Sequence, residues 1–130
     1  MQALYRNART WGYDLKYDFN LNAFEYTYEY PKQRNQTAYI SMRDPSGNFV
    51  RFTSPCLDLG KKAKKKLTSK DLRQLLVMHG DDSMHCRFAI DEDRNQLVLM
   101  TDQLFETMDK EEFRVQLKEV AEAADNFEKE

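Results

Sequence analysis

Residues 79–86 hold both histidines of the chain together with Asp81, Asp82 and Cys86, all of them zinc-binding residue types. The spacing argues against a metal centre. On a strand, His85 and Cys86 point to opposite faces, and Cys86 shares its alternation with Phe88 and Ile90, the mark of a buried thiol. Acid–base chemistry needs two carboxylates in environments that separate their pKa values. Asp91, Glu92 and Asp93 fall in what reads as a solvated hairpin turn, where nothing would separate them. No serine, cysteine or lysine stands beside an orienting pair. Gly12, Gly47, Gly60 and Gly80 are isolated rather than gathered into a phosphate loop. The expectation is a chain that is not an enzyme and holds no metal or cofactor.

The residues that remain suit binding. Lys61, Lys62, Lys64, Lys65 and Lys66 form a basic run just before a predicted helix. Cations there oppose the helix dipole, at about 0.3–1 kcal/mol each. The run is therefore a solvated loop, a counterpart to the acidic C-terminal stretch, or a steering patch for an acidic partner. Residues 109–130 carry eight acidic and four basic side chains. Rings are the other unusual feature. All seven tyrosines lie in the first 39 positions, beside eight phenylalanines and one tryptophan in the whole chain.

Periodicity shows what must position these groups. Residues 2–11 suit a short helix stopped by Gly12. Tyr13, Leu15, Tyr17 and Phe19 alternate with polar residues as a strand. Phe24, Tyr26, Tyr28 and Tyr30 do so again up to Pro31. Thr37–Met42 and Phe49–Thr53 are two further strands around the turn Asp44-Pro45-Ser46-Gly47-Asn48, and residues 55–60 are expected to leave the meander. Thr68 and Asp71 are placed to cap a helix bearing Leu72, Leu75, Leu76 and His79. Cys86–Ile90 and Leu97–Thr101 read as a hairpin. Asp109 and Glu112 begin a last helix with Phe113, Leu117, Val120, Ala121, Ala124 and Phe127 on one stripe. An antiparallel meander followed by α-β-β-α makes an α+β two-layer sandwich.

Composition bounds the rest. With 130 residues, 41% hydrophobic and 32% charged, the chain reads as a single globular domain over 1–130. A net charge of −2 does not call for a polyanionic partner. Arg6, Arg9, Asp14 and Lys16 interrupt any signal-like apolar run, so a cytoplasmic protein is expected, with Cys56 and Cys86 as free thiols. The Asn35-Gln36-Thr37 sequon then has no secretory route to serve.

The stretch from Leu67 to Phe127 resembles the YbjN family, whose fold is like that of type III secretion chaperones. The likeness rests on Leu72-x-x-Leu75-Leu76, on Phe88-Ala89-Ile90-Asp91, on the Leu97–Thr101 strand and on the helix after Asp109. The lysines of residues 61–66 depart from that pattern. The resemblance implies protein binding without chemistry, and a homodimer. A partner-binding surface is then expected at Tyr26, Tyr28, Tyr30, Tyr39 and Phe52, with Lys61, Lys62, Lys64, Lys65 and Lys66 steering an acidic protein. For each ring the bland alternative is ordinary core packing. The competing function is a single-stranded RNA-binding module using the same rings and lysines.

Overall fold

A computed structural model describes residues 2–32, 34–42, 48–59, 68–79 and 86–128. The lysine run at 61–66, the Asp44–Gly47 part of the predicted turn, and Asp81, Asp82 and His85 lie outside these residues. Nine elements follow in order: α1 (Gln2–Thr10), β1 (Lys16–Asp18), β2 (Ala23–Tyr30), β3 (Arg34–Met42), β4 (Phe49–Asp58), α2 (Ser69–His79), β5 (Arg87–Asp91), β6 (Gln96–Leu104) and α3 (Lys110–Glu128). All strand pairs are antiparallel, in one six-stranded sheet ordered β1-β2-β3-β4-β6-β5. The second hairpin thus docks through its later strand, β6, onto β4.

Register decides which residues share a face. Phe24 stands opposite Ile40, Ile40 opposite Phe52, and Phe52 opposite Thr101. This row forms the floor of the core. Above it lies α3, packed across β3, β4 and β6. Its predicted stripe is buried from Phe113 to Ala124, with Phe127 half-buried against Phe88, ring centroids 5.7 Å apart. Phe113 is the hub: its ring lies 5.3 Å from Trp11, 5.0 Å from Tyr13 and 5.6 Å from Phe52. The start of α3 is capped by Asp109, whose Oδ1 accepts from the Glu112 backbone N at 2.8 Å. The reciprocal half of that cap is replaced, because the Glu112 carboxylate accepts from Gln103 Nε2 on β6 instead. α1 buries Leu4 and Ala8 against the same core and ends at Gly12, where φ is +94°. Tyr13 N donates to Ala8 O and Gly12 N to Arg9 O, the paired bonds of a left-handed helix terminus that glycine tolerates without strain.

Three expectations change. The strand predicted over Tyr13–Phe19 is only Lys16–Asp18 long, since Tyr13 turns inward onto Phe113. Secondly, β4 does not end before Pro55 but runs through it to Asp58. Proline lacks the N–H a central strand needs. The β3–β4 ladder reaches only to Thr53, and side chains take over beyond it. Ser54 Oγ donates to Thr37 O at 2.8 Å, and Gln36 Nε2 donates to Pro55 O at 2.7 Å and to Ser54 Oγ at 2.8 Å. On the other side, a register shift between Pro55 and Leu57 lets β4 stay paired with β6. Thirdly, α2 has its predicted cap, with Thr68 N bonded to Asp71 Oδ2 and Asp71 N to Thr68 Oγ1, yet of its leucines only Leu75 is buried.

Candidate functional site

The rings expected to act together are divided between environments. Phe52 is 0% exposed under Phe113, so it belongs to the core and has no surface to offer a partner. Tyr26, Tyr28 and Tyr30 share its face of the sheet, on β2 beside α3, and are half-buried. They form a row with Tyr13, at centroid separations of 5.2, 5.0 and 6.3 Å along the chain of rings. Burial, with the neighbouring tyrosines, pushes the Tyr28 hydroxyl well above its usual 10.0. Burial also raises the Tyr30 hydroxyl above its usual value, helped by Glu122 and Asp125 of α3. Tyr39 is elsewhere. It alternates with Ala38 and Ile40 and so emerges on the opposite face.

That opposite face carries a concavity of about 450 Å³, to which no helix among the described residues contributes. Its apolar lining includes Leu21, Ala23, Ile90, Val98 and Met100, with Tyr39, Ser41 and Thr53 between β2 and β6. Asp91, Glu92, Asp93 and Arg94, from the β5–β6 turn, form the rim. The Arg94 guanidinium carbon sits 5.8 Å from the Tyr39 ring centroid, in cation–π contact, and Nη1 reaches Asp91 Oδ2 at 3.9 Å. The turn is held in place by Leu59, which donates to Asn95 O at 2.8 Å and accepts from Asn95 Nδ2 at 3.1 Å. Asn95 itself takes a φ of +53°, a conformation asparagine adopts more readily than most residues.

Electrostatics on this face are partly internal. Asp102 binds Arg51 through Nε at 2.9 Å and Arg87 through Nη2 at 2.8 Å. Burial alone would raise its pKa; the bonds from Arg51 and Arg87 outweigh burial and hold the carboxyl below 3.8. Burial, and then the facing Glu25, push the Tyr39 hydroxyl above 10.0, against the pull of Arg94. Cys86 is buried, which raises its thiol to about 11, a value unsuited to a nucleophile or metal ligand at neutral pH. No three His, Cys, Asp or Glu side chains among the described residues are grouped to hold a metal ion. Cys56 and Cys86 form no disulfide with each other, and Cys56 Sγ donates to Leu97 O at 3.4 Å.

Sequence reasoning located Tyr39 but missed its surroundings. In the sequence the rim reads only as a solvated turn, and Arg94, Met100 and Leu21 carry no signal. They meet because β6 pairs with β4, a long-range choice that local periodicity does not encode.

The sequence matches no family profile and no curated protein at a significant level. Solved structures match along nearly the whole chain. The HopA1–SchA chaperone–effector complex aligns with a TM-score of 0.63 at 9% identity, covering 99% of this chain and 92% of that one. The Yersinia pestis type III secretion chaperone SycH, in complex with a stable fragment of YscM2, gives 0.59 at 12% identity, covering 97% of each chain. The ExoU–SpcU complex from the Pseudomonas aeruginosa type III secretion system gives 0.59 at 13%, covering 95% of this chain and 92% of that one. This chain therefore has a type III secretion chaperone-like α+β fold.

Proposed function

We propose that the chain is a non-enzymatic, chaperone-like domain over residues 1–130 that holds an extended segment of a partner protein in the cytoplasm. The observation that carries the reading is the open sheet face with its concavity, where Leu21, Ala23, Val98 and Met100 lie among Tyr39, Ser41, Arg51 and Thr53 and a charged turn edges the site. A concave site that sets apolar patches among polar groups can grip the side chains of a bound segment and fix its orientation. The neighbours in fold support the same reading, since they were solved as complexes with a second polypeptide: a chaperone–effector pair, a secretion chaperone with a fragment of YscM2, and the ExoU–SpcU heterodimer. Tyr39 is the ring best placed to serve. Tyr28 and Tyr30 offer a second strip beside α3, and Lys61, Lys62, Lys64, Lys65 and Lys66 would steer an acidic stretch of the partner. Kinship with YbjN proteins is compatible with this fold and is part of the proposal.

A homodimer is proposed on α2. Leu72, Leu76 and Val77 are 48%, 74% and 70% exposed, while Leu75 is buried. Three large apolar side chains on one short helix suit burial by a second copy. The single-stranded RNA alternative draws less support. The β2 tyrosines are half-buried beside α3, and carboxylates of that helix, Glu122 and Asp125, act on Tyr30 and would repel phosphate.

The test is photo-crosslinking in cells, with benzoylphenylalanine at Thr53 on the open face and, as control, at Lys118 on α3. A contiguous segment of one protein crosslinked from Thr53 but not Lys118 is expected. Equal profiles from both positions, or none, would count against the reading.

A further inference from the structure

The concavity has a chemistry more specific than apolar grip. Tyr39 presents a ring face to the open side, and its cross-strand neighbour on β2 is Glu25. Asp18 on β1 also acts on Tyr39, and Asp91, Glu92 and Asp93 close the rim. Among the cations nearby, Arg51 and Arg87 are both engaged by Asp102. Lys16 stands opposite Glu25 and is exposed. Arg51 also lines the concavity, and the two arginines on one carboxylate keep one net positive charge. Among the described residues the five carboxylates Asp18, Glu25, Asp91, Glu92 and Asp93 still outweigh it together with Lys16 and Arg94. An aromatic face flanked by carboxylates attracts a cation, and a guanidinium stacks on it better than an ammonium. Leu21, Ala23, Val98 and Met100 line the same concavity and offer apolar surface that suits the aliphatic stem of such a side chain.

One cation is already there. Arg94 lies over Tyr39, yet its hold is loose: the Asp91 contact is at 3.9 Å and a third of the side chain, 34%, is exposed. A structural ion pair would be shorter, as the 2.8–2.9 Å bonds at Asp102 are.

We infer that the concavity is a seat for a basic side chain, arginine foremost, carried by the partner's extended segment, and that Arg94 occupies this seat until the segment arrives. The inference rests on the segment-binding function proposed above and adds what the segment must contain. Binding exchanges one guanidinium for another over Tyr39, so the ring is never left bare. The incoming arginine adds its stem and its flanking apolar residues, which Arg94, tied to its turn, cannot supply.

The experiment uses the full chain, isotope-labelled, titrated with the acetylated hexapeptide Val-Leu-Arg-Leu-Val-Ser and with the same peptide carrying citrulline for arginine. Citrulline keeps the shape and removes the charge. Amide shifts are expected at Tyr39, Thr53 and Arg94, with the citrulline peptide at least about fivefold weaker. In Arg94→Ala the competitor is gone, so the arginine peptide binds about threefold tighter or better. This side chain is solvent-facing, and an otherwise unchanged amide spectrum verifies the fold. Equal affinity for both peptides at this face overturns the basic seat and leaves segment binding standing. No shift from either peptide also overturns the seat, whereas segment binding is judged separately by crosslinking from Thr53, which does not depend on peptide chemistry. Weaker arginine binding in Arg94→Ala overturns the role given to Arg94.

Discussion

Asp125 shows how much one side chain on α3 depends on a distant strand. It is only 3% exposed, and Arg34 of β3 meets it with Nε at 3.1 Å and Nη2 at 3.4 Å. Removing the arginine takes the guanidinium away from a buried carboxylate. Arg34→Ala should therefore lower stability by about 2–3 kcal/mol, measured by urea unfolding, the lower figure reflecting an arginine that is partly exposed. Asp102 gives a pH-dependent counterpart. Its folded pKa is depressed below 3.8, so the folded state binds fewer protons than the unfolded one in that range. Its contribution is complete above the unfolded value and is lost as pH falls through the folded one. Asp102→Asn should flatten the acid limb of stability below about pH 4 while leaving the neutral-to-alkaline slope unchanged, as acid titration of unfolding would show. A third expectation concerns the thiols. Burial holds Cys86 at about 11 and Cys56 is buried on the core side, so a thiol reagent at pH 7.5 should label both only in denaturant. Rapid labelling of the native protein would contradict this.

At the scale of elements, the helix that carries Phe113 organises the core. Phe113→Ala removes a ring that touches Trp11, Tyr13 and Phe52 at once, and should cost about 3–5 kcal/mol by calorimetry or denaturant melt. This element was fully legible, because a 3.6-residue stripe and a capping aspartate are local signals. The same holds for the Thr68–Asp71 cap and for the stop at Gly12. Legibility failed where a residue's fate depends on distant pairing. Pro55 reads as a strand breaker, and becomes a strand residue only because Gln36 and Ser54 complete its hydrogen bonding. Leu72, Leu75 and Leu76 look alike in the sequence of α2, yet Leu72 and Leu76 stand exposed because α2 touches the sheet through β5 and Leu75 is the leucine it buries. The candidate site failed in the same way. Tyr39 was visible as a ring on a strand, whereas Arg94 became its neighbour through the turn between β5 and β6.

For the whole molecule, the distribution of apolar surface sets the association expected. If α2 is the contact between copies, Leu76→Asp should yield a monomer by light scattering with little loss of fold, since the side chain is 74% exposed in one copy. A dimer that persists in this variant would move the contact elsewhere. The strand order has another consequence, in time rather than space. β4 ends at Asp58, but its outer neighbour β6 begins at Gln96, and β5 reaches the sheet only through β6. As the chain leaves the ribosome, the first four strands can assemble while the far edge of β4 still shows unpaired backbone groups. That edge stays available for mispairing until the β5–β6 hairpin is synthesised. The late hairpin therefore acts as a seal, and the pace of translation across residues 59–104 becomes a determinant of yield.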